Sequence, residues 1–217
     1  MLRYEGMIFD LDGVLTDTAR FHYAAWKRLC EEIGCYFDEI INEKLKGIGR
    51  MESLNIILNE NDIEISDEGK QFLADRKNLY YKEMISKITP MDLLPGVSEL
   101  FQRLNELGVK KAVASASRNA CTVLERLGII DYFQYIVDTD RIKNGKPDPE
   151  IFLNASKGLG IPPKKCIGVE DSQAGIEAIK KAGMYAIGIG KPDTLYKADL
   201  VLRDLRDTDR IISILLP

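Results

Sequence analysis

The sequence predicts an α/β protein, a doubly wound parallel sheet with an all-helical insert after its first strand. Three observations support this fold class. From residue 95 onward, short apolar runs alternate with helical patterns of roughly 10–15 residues, which is typical of βαβ units. An apolar run at 6–9 precedes them and ends in polar residues. Between that run and the breaks at Pro90 and Pro95, only helical patterns are found.

The elements follow in a regular order. Residues 6–9 are predicted to form a buried strand. Helical periodicity then covers residues 18–33, 40–45, 51–58 and 67–88. After Pro95 the predicted elements are a helix at 97–107, a strand at 111–114, a helix at 120–127, a strand at 135–137, a helix at 149–159, a strand at 166–169, a helix at 172–182, and strands at 185–189 and 200–202.

Length and composition agree with this organisation. The chain has 217 residues, of which 45% are hydrophobic and 29% charged. A chain of this length buries a sizeable core without disulfide or metal support. We therefore expect an α/β core formed by residues 1–14 and 92–217 and a helical cap domain formed by residues 15–91.

Charge and cysteine content exclude several classes of protein. The net charge of −4 disfavours a nucleic-acid-binding or basic membrane-surface protein. No apolar run approaches the roughly 18 residues of a membrane span, and the N-terminus lacks a signal-peptide pattern. The four cysteines show no C-x-x-C spacing, and the single histidine, His22, offers too few partners for a zinc site. We expect a cytoplasmic protein with reduced cysteines and with no nucleic-acid or membrane partner.

Polar side chains cluster where the predicted strands end. In an open parallel sheet, ligands bind at the carboxyl ends of the strands. Crowded carboxylates need a cation, and oxygen ligands with open positions suit Mg²⁺. A lysine and a hydroxyl group beside such a metal suit a phosphoryl group, so the pattern predicts phosphoryl transfer. The residues at this edge are Asp10, Asp12, Ser115, Glu170 and Asp171, with Lys146 in a loop.

Each of these motifs is weak when taken alone. Two aspartates around one residue often mark a turn or a helix cap. The run Lys146-Pro147-Asp148-Pro149 is also typical of a helix start. The specific signal is the order of the motifs on successive strand ends.

The same residues carry a resemblance to a known superfamily. The run at 10–18, Asp-Leu-Asp-Gly-Val-Leu-Thr-Asp-Thr, resembles the first motif of the haloacid dehalogenase-like hydrolases. Ser115, Lys146 and the pair Glu170-Asp171 match the second, third and fourth motifs. A closer resemblance, to the β-phosphoglucomutases, rests on residues 9–14, His22 with Trp26, and residues 45–50, 53–54, 76–78, 114–119 and 170–176.

The resemblance implies a fold and a reaction. The fold would be a Rossmann-like core with an inserted helical cap. The reaction would interconvert β-D-glucose 1-phosphate and glucose 6-phosphate through an aspartyl phosphate. One Mg²⁺ per chain would be the cofactor, with β-glucose 1,6-bisphosphate as intermediate and activator. The protein would be a monomer whose partner is a small phosphosugar.

For the core, the resemblance implies a role for each motif. Asp10 would be the nucleophile, and the side chain of Asp12 would be the general acid/base. Ser115 and Lys146 would hold the oxygens of the transferring phosphoryl group. The metal ligands would be Asp10, the main-chain carbonyl of Asp12 and Asp171, with Glu170 in or beside the coordination shell.

For the cap, spacing and resemblance act together. Thr18, His22 and Trp26 are spaced by four residues and share one helix face, which by itself is also typical of ordinary packing. The resemblance implies that Thr18 and His22 couple cap closure to the position of Asp12, while Trp26 lines the sugar pocket. Arg50 would bind the phosphate that is not reacting. The other implied substrate-binding residues are Leu45, Lys46, Gly47, Ile48, Ser53, Lys77, Ala116, Ser117, Arg118 and Asn119.

Two other functions stay open at this point. A cap-bearing sugar-phosphate phosphatase would share every core motif and would differ at Arg50, at Lys46-Gly47 and at the helix face of His22 and Trp26. A non-catalytic binding module would be expected to lose at least one of the core acids or Lys146. The chain also departs from the usual β-phosphoglucomutase pattern, with Gly49 in place of a common serine and Arg118 in place of a common lysine.

Overall fold

A six-stranded parallel sheet forms the centre of the protein. The computed structural model describes residues 2–45 and 47–217. The strands of this part are β1 (Gly6–Phe9), β2 (Lys110–Val113), β3 (Tyr135–Ile136), β4 (Cys166–Glu170), β5 (Tyr185–Ile189) and β6 (Leu200–Leu202). Their order across the sheet is β3-β2-β1-β4-β5-β6, and every described pairing is parallel. This order confirms the predicted doubly wound sheet.

The helices of the described residues begin and end at recognisable signals. They are α1 (Ala19–Ile33), α2 (Glu39–Glu43), α3 (Arg50–Glu60), α4 (Asp67–Ile85), α5 (Val97–Glu106), α6 (Ala120–Arg126), α7 (Glu150–Leu159), α8 (Gln173–Lys181) and α9 (Thr208–Leu215). The Asp38 and Ser66 side chains accept backbone N–H groups at the starts of α2 and α4. Gly34, with φ +72°, ends α1 in the left-handed conformation that glycine adopts readily. None of the described helices is both long and apolar enough to cross a bilayer.

Two helical layers cover the sheet from opposite faces. Successive strand residues point to opposite faces, so Ile8 and Phe9 enter different clusters. Phe9 packs with residues of α5, α6 and α9, whereas Ile8 packs with residues of α7 and α8. Because both faces are covered, the strands are continuous apolar runs, as the sequence predicts for a parallel sheet.

The cap is formed by α1 to α4. These helices follow β1, and no strand is found among the described residues that lie between them. They share a separate apolar cluster that includes Leu29, Ile57 and Ala74. The structure thus confirms a helical cap inserted into the α/β core.

The two connections between cap and core run side by side. The Leu94 N–H donates to the Leu15 carbonyl at 2.9 Å. The Thr16 hydroxyl donates to the Asp92 carbonyl at 2.8 Å. The cap is therefore joined to the core by two hydrogen-bonded chain segments. They lie close to the domain boundaries at 14/15 and 91/92, which stay predictions.

Most predicted elements differ from the observed ones by one or two residues at an end, and two helices differ by more. Helix α9 was absent from the predicted elements because its apolar residues Ile211, Ile212 and Leu215 span little more than one turn. Helix α4 ends at Ile85 rather than at 88. Thr89 precedes a proline, which disfavours helical backbone, and its φ of −134° is extended.

Candidate active site

The predicted polar edge forms where the sequence analysis places it. Phe9 pairs in register with Val113 of β2 and Val169 of β4. Asp10 directly follows β1, and Glu170 is the last residue of β4. The Asp10 N–H donates to the Val169 carbonyl at 2.9 Å, which fixes the backbone of Asp10 at the sheet edge. In this strand order, β1 and β4 flank the switch point at which doubly wound sheets bind ligands.

Three carboxylates converge at this edge. Asp10, Glu170 and Asp171 each offer an oxygen within 4.8 Å of the others. Gly13 permits the approach of Asp171, since a Cβ atom at that position would lie 2.1 Å from its Oδ2. Oxygen donors in this arrangement suit a hard divalent cation such as Mg²⁺. The donor set therefore fits the metal that the sequence analysis predicts.

The Glu170 carboxylate is held by four hydrogen bonds. Its Oε1 accepts the N–H groups of Asp171 and Ser172, both at 3.1 Å, and the Ser172 hydroxyl at 2.9 Å. Its Oε2 accepts from Lys146 at 2.7 Å. Gly175 leaves room for this carboxylate, because a Cβ atom there would lie 2.0 Å from Glu170 Cδ. Glu170 thus has a fixed position and anchors Lys146.

Lys146 lies between two acids and is buried. Its Nζ donates to Asp10 Oδ1 at 2.6 Å and to Glu170 Oε2 at 2.7 Å. Burial alone would lower the pKa of Lys146, but the Asp10 and Glu170 carboxylates outweigh it and raise the pKa above its usual value. Lys146 is therefore a permanent cation next to Asp10.

Both aspartates of the first motif have raised pKa values. Burial raises the pKa of Asp10 to about 8, although Lys146 opposes the increase. Burial also raises the pKa of Asp12 to about 6, again against Lys146. A carboxyl group with a pKa close to neutral pH can both give and take a proton, which is what a general acid/base requires.

A chain of cap residues leads to Asp12. The Thr18 hydroxyl, at the start of α1, donates to Asp12 Oδ1. Lys77 Nζ lies 2.8 Å from His22 Nδ1, and an ammonium group can only donate. Against the ammonium form of Lys77, His22 Nδ1 is therefore the acceptor and the ring hydrogen is on Nε2, 3.8 Å from Asp12 Oδ2. That separation is too long for a hydrogen bond, so His22 lies near Asp12 without a hydrogen bond to it in this structure.

The pKa values of His22 and Lys77 are both lowered. Burial lowers the pKa of His22 well below its usual value, and Lys77 and Arg50 lower it further. Burial, with Arg50, lowers the pKa of Lys77 to about 7. The Lys77 amino group also lies 4.7 Å from the centre of the Trp26 ring. Lys77 thus contacts the Asp12 side of the cap, and its geometry favours positioning His22 over direct contact with a phosphate.

Cap and core enclose a cavity of about 380 Å³, large enough for a phosphorylated sugar. The cap loop approaches the core closely at Gly47, where a Cβ atom would lie 2.7 Å from Ser172 Oγ. Gly47 also has φ +77°, so a side chain there would be both strained and obstructed. The loop therefore lies directly over the catalytic edge.

A second polar group lies on the cavity wall. Arg50 comes from the cap, whereas Ser117 and Asn119 come from the core loop after β2. Burial lowers the pKa of Arg50, and the nearby Arg118 lowers it further. Arg118 is exposed and pairs with Asp140 at 2.9 Å. Two guanidinium groups at one cavity mouth form a suitable place for an anion.

Most predicted site residues line this cavity. They are Asp10, Asp12, His22, Trp26, Leu45, Gly47, Ile48, Arg50, Ser53, Lys77, Ala116, Ser117, Arg118, Asn119, Lys146 and Asp171. Thr18, Ser115 and Glu170 are instead buried behind the wall, where they contact lining residues. Lys46 lies outside the described residues, so its predicted contact stays a prediction.

The sequence analysis missed several lining residues. They include Asn42, Glu52, Gln71, Asn78 and Thr139. Asn78 lies directly after Lys77 in a run that contributes to the resemblance, but an asparagine within a helix has no distinctive pattern. The structure identifies Asn78 by its contact with the core, since Asn119 Nδ2 donates to Asn78 Oδ1 at 2.9 Å.

Comparisons with known proteins agree with this geometry. A family model described as haloacid dehalogenase-like hydrolase matches residues 7–189. A β-phosphoglucomutase of Bacillus subtilis is 48% identical over 205 residues, which cover 94% of this chain and 91% of the relative. A crystal structure of β-phosphoglucomutase from Clostridium difficile matches with a TM-score of 0.94 at 44% identity, covering 98% of this chain and 97% of that chain.

A phosphatase is a more distant relative. The phosphorylated carbohydrates phosphatase of Thermotoga maritima is 34% identical over 186 residues, which cover 84% of this chain and 83% of the relative. The core edge described above is thus compatible with two outcomes for the phosphoryl group, transfer to a sugar or to water.

Proposed function

The chain belongs to the haloacid dehalogenase-like hydrolase family, and we propose that it acts as a Mg²⁺-dependent β-phosphoglucomutase. It interconverts β-D-glucose 1-phosphate and glucose 6-phosphate. The observation that carries this proposal is a single cavity that has cationic side chains on both its core side and its cap side. The core edge holds Asp10 beside Lys146, and the same cavity is also lined by Arg50, Ser117 and Asn119. A mutase that works through a bisphosphate needs both regions, because one phosphate reacts while the other is held.

The core residues carry out the transfer. A carboxylate oxygen of Asp10 forms a bond to phosphorus as the bond between phosphorus and the sugar oxygen breaks. Asp12 donates a proton to the leaving sugar oxygen and, in the reverse direction, takes the proton from the sugar hydroxyl. Lys146 and Ser115 hold the oxygens of the transferring group. β-Glucose 1,6-bisphosphate is the intermediate, and it reorients between the two transfers.

The acidic edge provides the metal site. Asp10, Asp171 and the main-chain carbonyl of Asp12 would hold one Mg²⁺, which neutralises charge on the transferring phosphoryl group. We place Glu170 beside this shell rather than within it, because its carboxylate already accepts four hydrogen bonds. Its role is then to orient Lys146.

The cap excludes water and holds the second phosphate. An aspartyl phosphate is readily hydrolysed, so the cap loop at Gly47 has to close over the edge before transfer. Thr18 and His22 link this closure to Asp12, and Trp26 lines the sugar pocket. Arg50 binds the phosphate that is not reacting.

A product assay tests the proposal. The protein is given β-glucose 1-phosphate, Mg²⁺ and catalytic β-glucose 1,6-bisphosphate, and glucose 6-phosphate and inorganic phosphate are both measured. We expect a ratio of glucose 6-phosphate to phosphate well above one, and no reaction with the α anomer. A ratio near zero in the wild-type protein would instead identify a phosphatase.

Replacing Arg50 separates the two phosphate regions. Arg50→Ala should reduce isomerisation sharply, and Arg50→Lys should fall between Ala and wild type because it keeps the charge without the planar fork. Phosphorylation of Asp10 by acetyl phosphate, which has no second phosphate, should survive in both. Arg28→Ala, an exposed arginine on α1, is the matched control. An unchanged product ratio in Arg50→Ala would move the second region to Arg118 or Lys77.

Three further properties belong to this proposal. We infer one Mg²⁺ per chain, a monomeric protein and a cytoplasmic location. Size-exclusion chromatography with light scattering measures the molar mass in solution. Metal titration measures the number of Mg²⁺ ions bound per chain.

A further inference from the structure

One hydrogen bond joins the cap directly to the predicted second phosphate region. Asn78 lies on α4 of the cap, and Asn119 lies at the start of α6 in the core. Asn119 Nδ2 donates to Asn78 Oδ1 at 2.9 Å. Both residues line the cavity. The bond therefore exists only when the cap lies against the core.

The side chain of Asn119 is turned away from its usual local partner. An asparagine before a helix commonly accepts an N–H group of the first turn with its own side chain. Asn119 precedes α6 but makes no such bond. Its backbone is held instead, with its N–H donating to Ser117 Oγ at 3.3 Å and its carbonyl accepting the Val123 N–H at 3.1 Å. The orientation of its carboxamide is thus decided by Asn78.

That orientation matters for an anion. A carboxamide has two N–H donors at one end and a carbonyl acceptor at the other. With one N–H on Asn78, the second N–H of Asn119 is still available as a donor. In the reversed orientation the carbonyl oxygen of Asn119 would face Asn78, and its two N–H groups would point to the other side. Fixing the amide therefore decides in which direction Asn119 presents its N–H donors to the second phosphate.

We propose that Asn78 is a positioning residue, which holds the Asn119 carboxamide in the donor orientation when the cap closes. This inference rests on the proposed function, because it takes the bound anion to be the non-reacting phosphate of the sugar. It ties recognition of that phosphate to closure, since an open cap leaves the Asn119 amide without its orienting partner.

A double-mutant cycle tests this role. Asn78→Ala, Asn119→Ala and the double variant are compared with wild type by KM and kcat for β-glucose 1-phosphate. We expect Asn78→Ala to raise KM about threefold to tenfold, the range for one lost hydrogen bond. In the Asn119→Ala background, Asn78→Ala should raise KM by less than about twofold, because Asn78 then has no carboxamide to orient. Asn78→Ser, which is too short to reach Asn119, should match Asn78→Ala.

Controls separate positioning from general damage. The rate at which acetyl phosphate phosphorylates Asp10 should be unchanged in Asn78→Ala, since that donor carries no second phosphate. Asn59→Ala, an exposed residue of α3, is the matched control and should leave KM unchanged. Thermal unfolding establishes that each variant is folded. Additive effects of Asn78→Ala and Asn119→Ala, or a loss of acetyl phosphate reactivity, would overturn the inference.

A binding measurement keeps this test distinct from the test of function. Asp10→Asn cannot be phosphorylated, so calorimetry with β-glucose 1,6-bisphosphate reports binding alone in that background. Non-additive effects of Asn78→Ala and Asn119→Ala on this Kd would support the role of Asn78. They would do so even if the wild-type protein released only inorganic phosphate, a result that would overturn the mutase proposal alone. Absence of any bisphosphate binding would overturn both.

Discussion

Two buried lysines lie on opposite sides of the cavity in opposite electrostatic environments. On the core side, Lys146 contacts the carboxylates of Asp10 and Glu170 at 2.6 and 2.7 Å, and its pKa is raised. On the cap side, Lys77 contacts the ring of His22, and no ion pair joins it to a carboxylate in the described part of the chain. Its pKa is lowered to about 7, chiefly by burial.

The difference shows how the two sides of the cavity are charged. The core edge contains Lys146 as a counterion for part of its carboxylate charge, and the proposed Mg²⁺ would balance the rest. The cap side contains Lys77 and Arg50, both with pKa values lowered by burial. Arg50 pairs with the carboxylate of Asp75, which is exposed and 3.9 Å away. We infer that the core edge is preorganised, whereas the cap side is completed by the anionic substrate.

The largest effect is expected on the core side, at the proposed nucleophile. Asp10→Asn should reduce both turnover and phosphoenzyme below about 1% of wild type, because losing a covalent nucleophile commonly costs several orders of magnitude. The free energy of unfolding should not fall, since burial already disfavours the ionised Asp10 carboxylate and Lys146 keeps Glu170. Acid-quenched phosphoenzyme and chemical denaturation measure the two quantities. Turnover above that threshold would remove Asp10 from its role.

The next largest effect is a difference between the two lysines in their contribution to the free energy of unfolding. Lys146→Met should lower the free energy of unfolding by about 3–5 kcal/mol, because it leaves two buried carboxylates unpaired. Lys77→Met should lower it by at most about 1.5 kcal/mol, since the hydrogen bond to His22 is lost but a buried amino group whose charge burial disfavours is removed as well. Urea denaturation in the presence of EDTA measures both without metal. Equal losses would show that the cap side is as dependent on its cation as the core edge.

The smallest effect is a pH dependence that belongs to Lys77. Its folded pKa of about 7 lies below its ordinary value of 10.5, so between these values the unfolded chain binds more protons than the folded protein. Stability from this group therefore rises with pH from about 7 upward, by as much as roughly 1.4 kcal/mol per pH unit.

Subtracting Lys77→Met from wild type isolates this contribution. The difference in unfolding free energy, measured at pH 7, 8 and 9, should move in favour of wild type as pH rises. Other titrating groups are common to both proteins and largely cancel. A difference that stays flat over this range would mean that the amino group of Lys77 keeps its ordinary pKa in the folded protein.

Much of the fold could be predicted because its signals are local. The strands at 185–189 and 200–202 were predicted with the bounds that the structure has. The helix that ends at Ile33 before Gly34 was also predicted, since glycine adopts the left-handed backbone that closes a helix. Helix α9 was missed because so short an apolar pattern is common by chance. The cap and the doubly wound sheet followed from the order of these elements.

The sequence by itself determined which chemical groups stand at the strand ends. Asp10 and Glu170 could be placed at one edge because the carboxyl ends of parallel strands must meet. Tertiary structure alone decided how those groups behave. Lys146 and Lys77 are the same residue type, yet one has a raised pKa and the other a lowered pKa. The contact between Asn78 and Asn119 likewise joins residues 41 positions apart. Desolvation and partner distance depend on groups brought together by folding, and no local pattern in the chain records them.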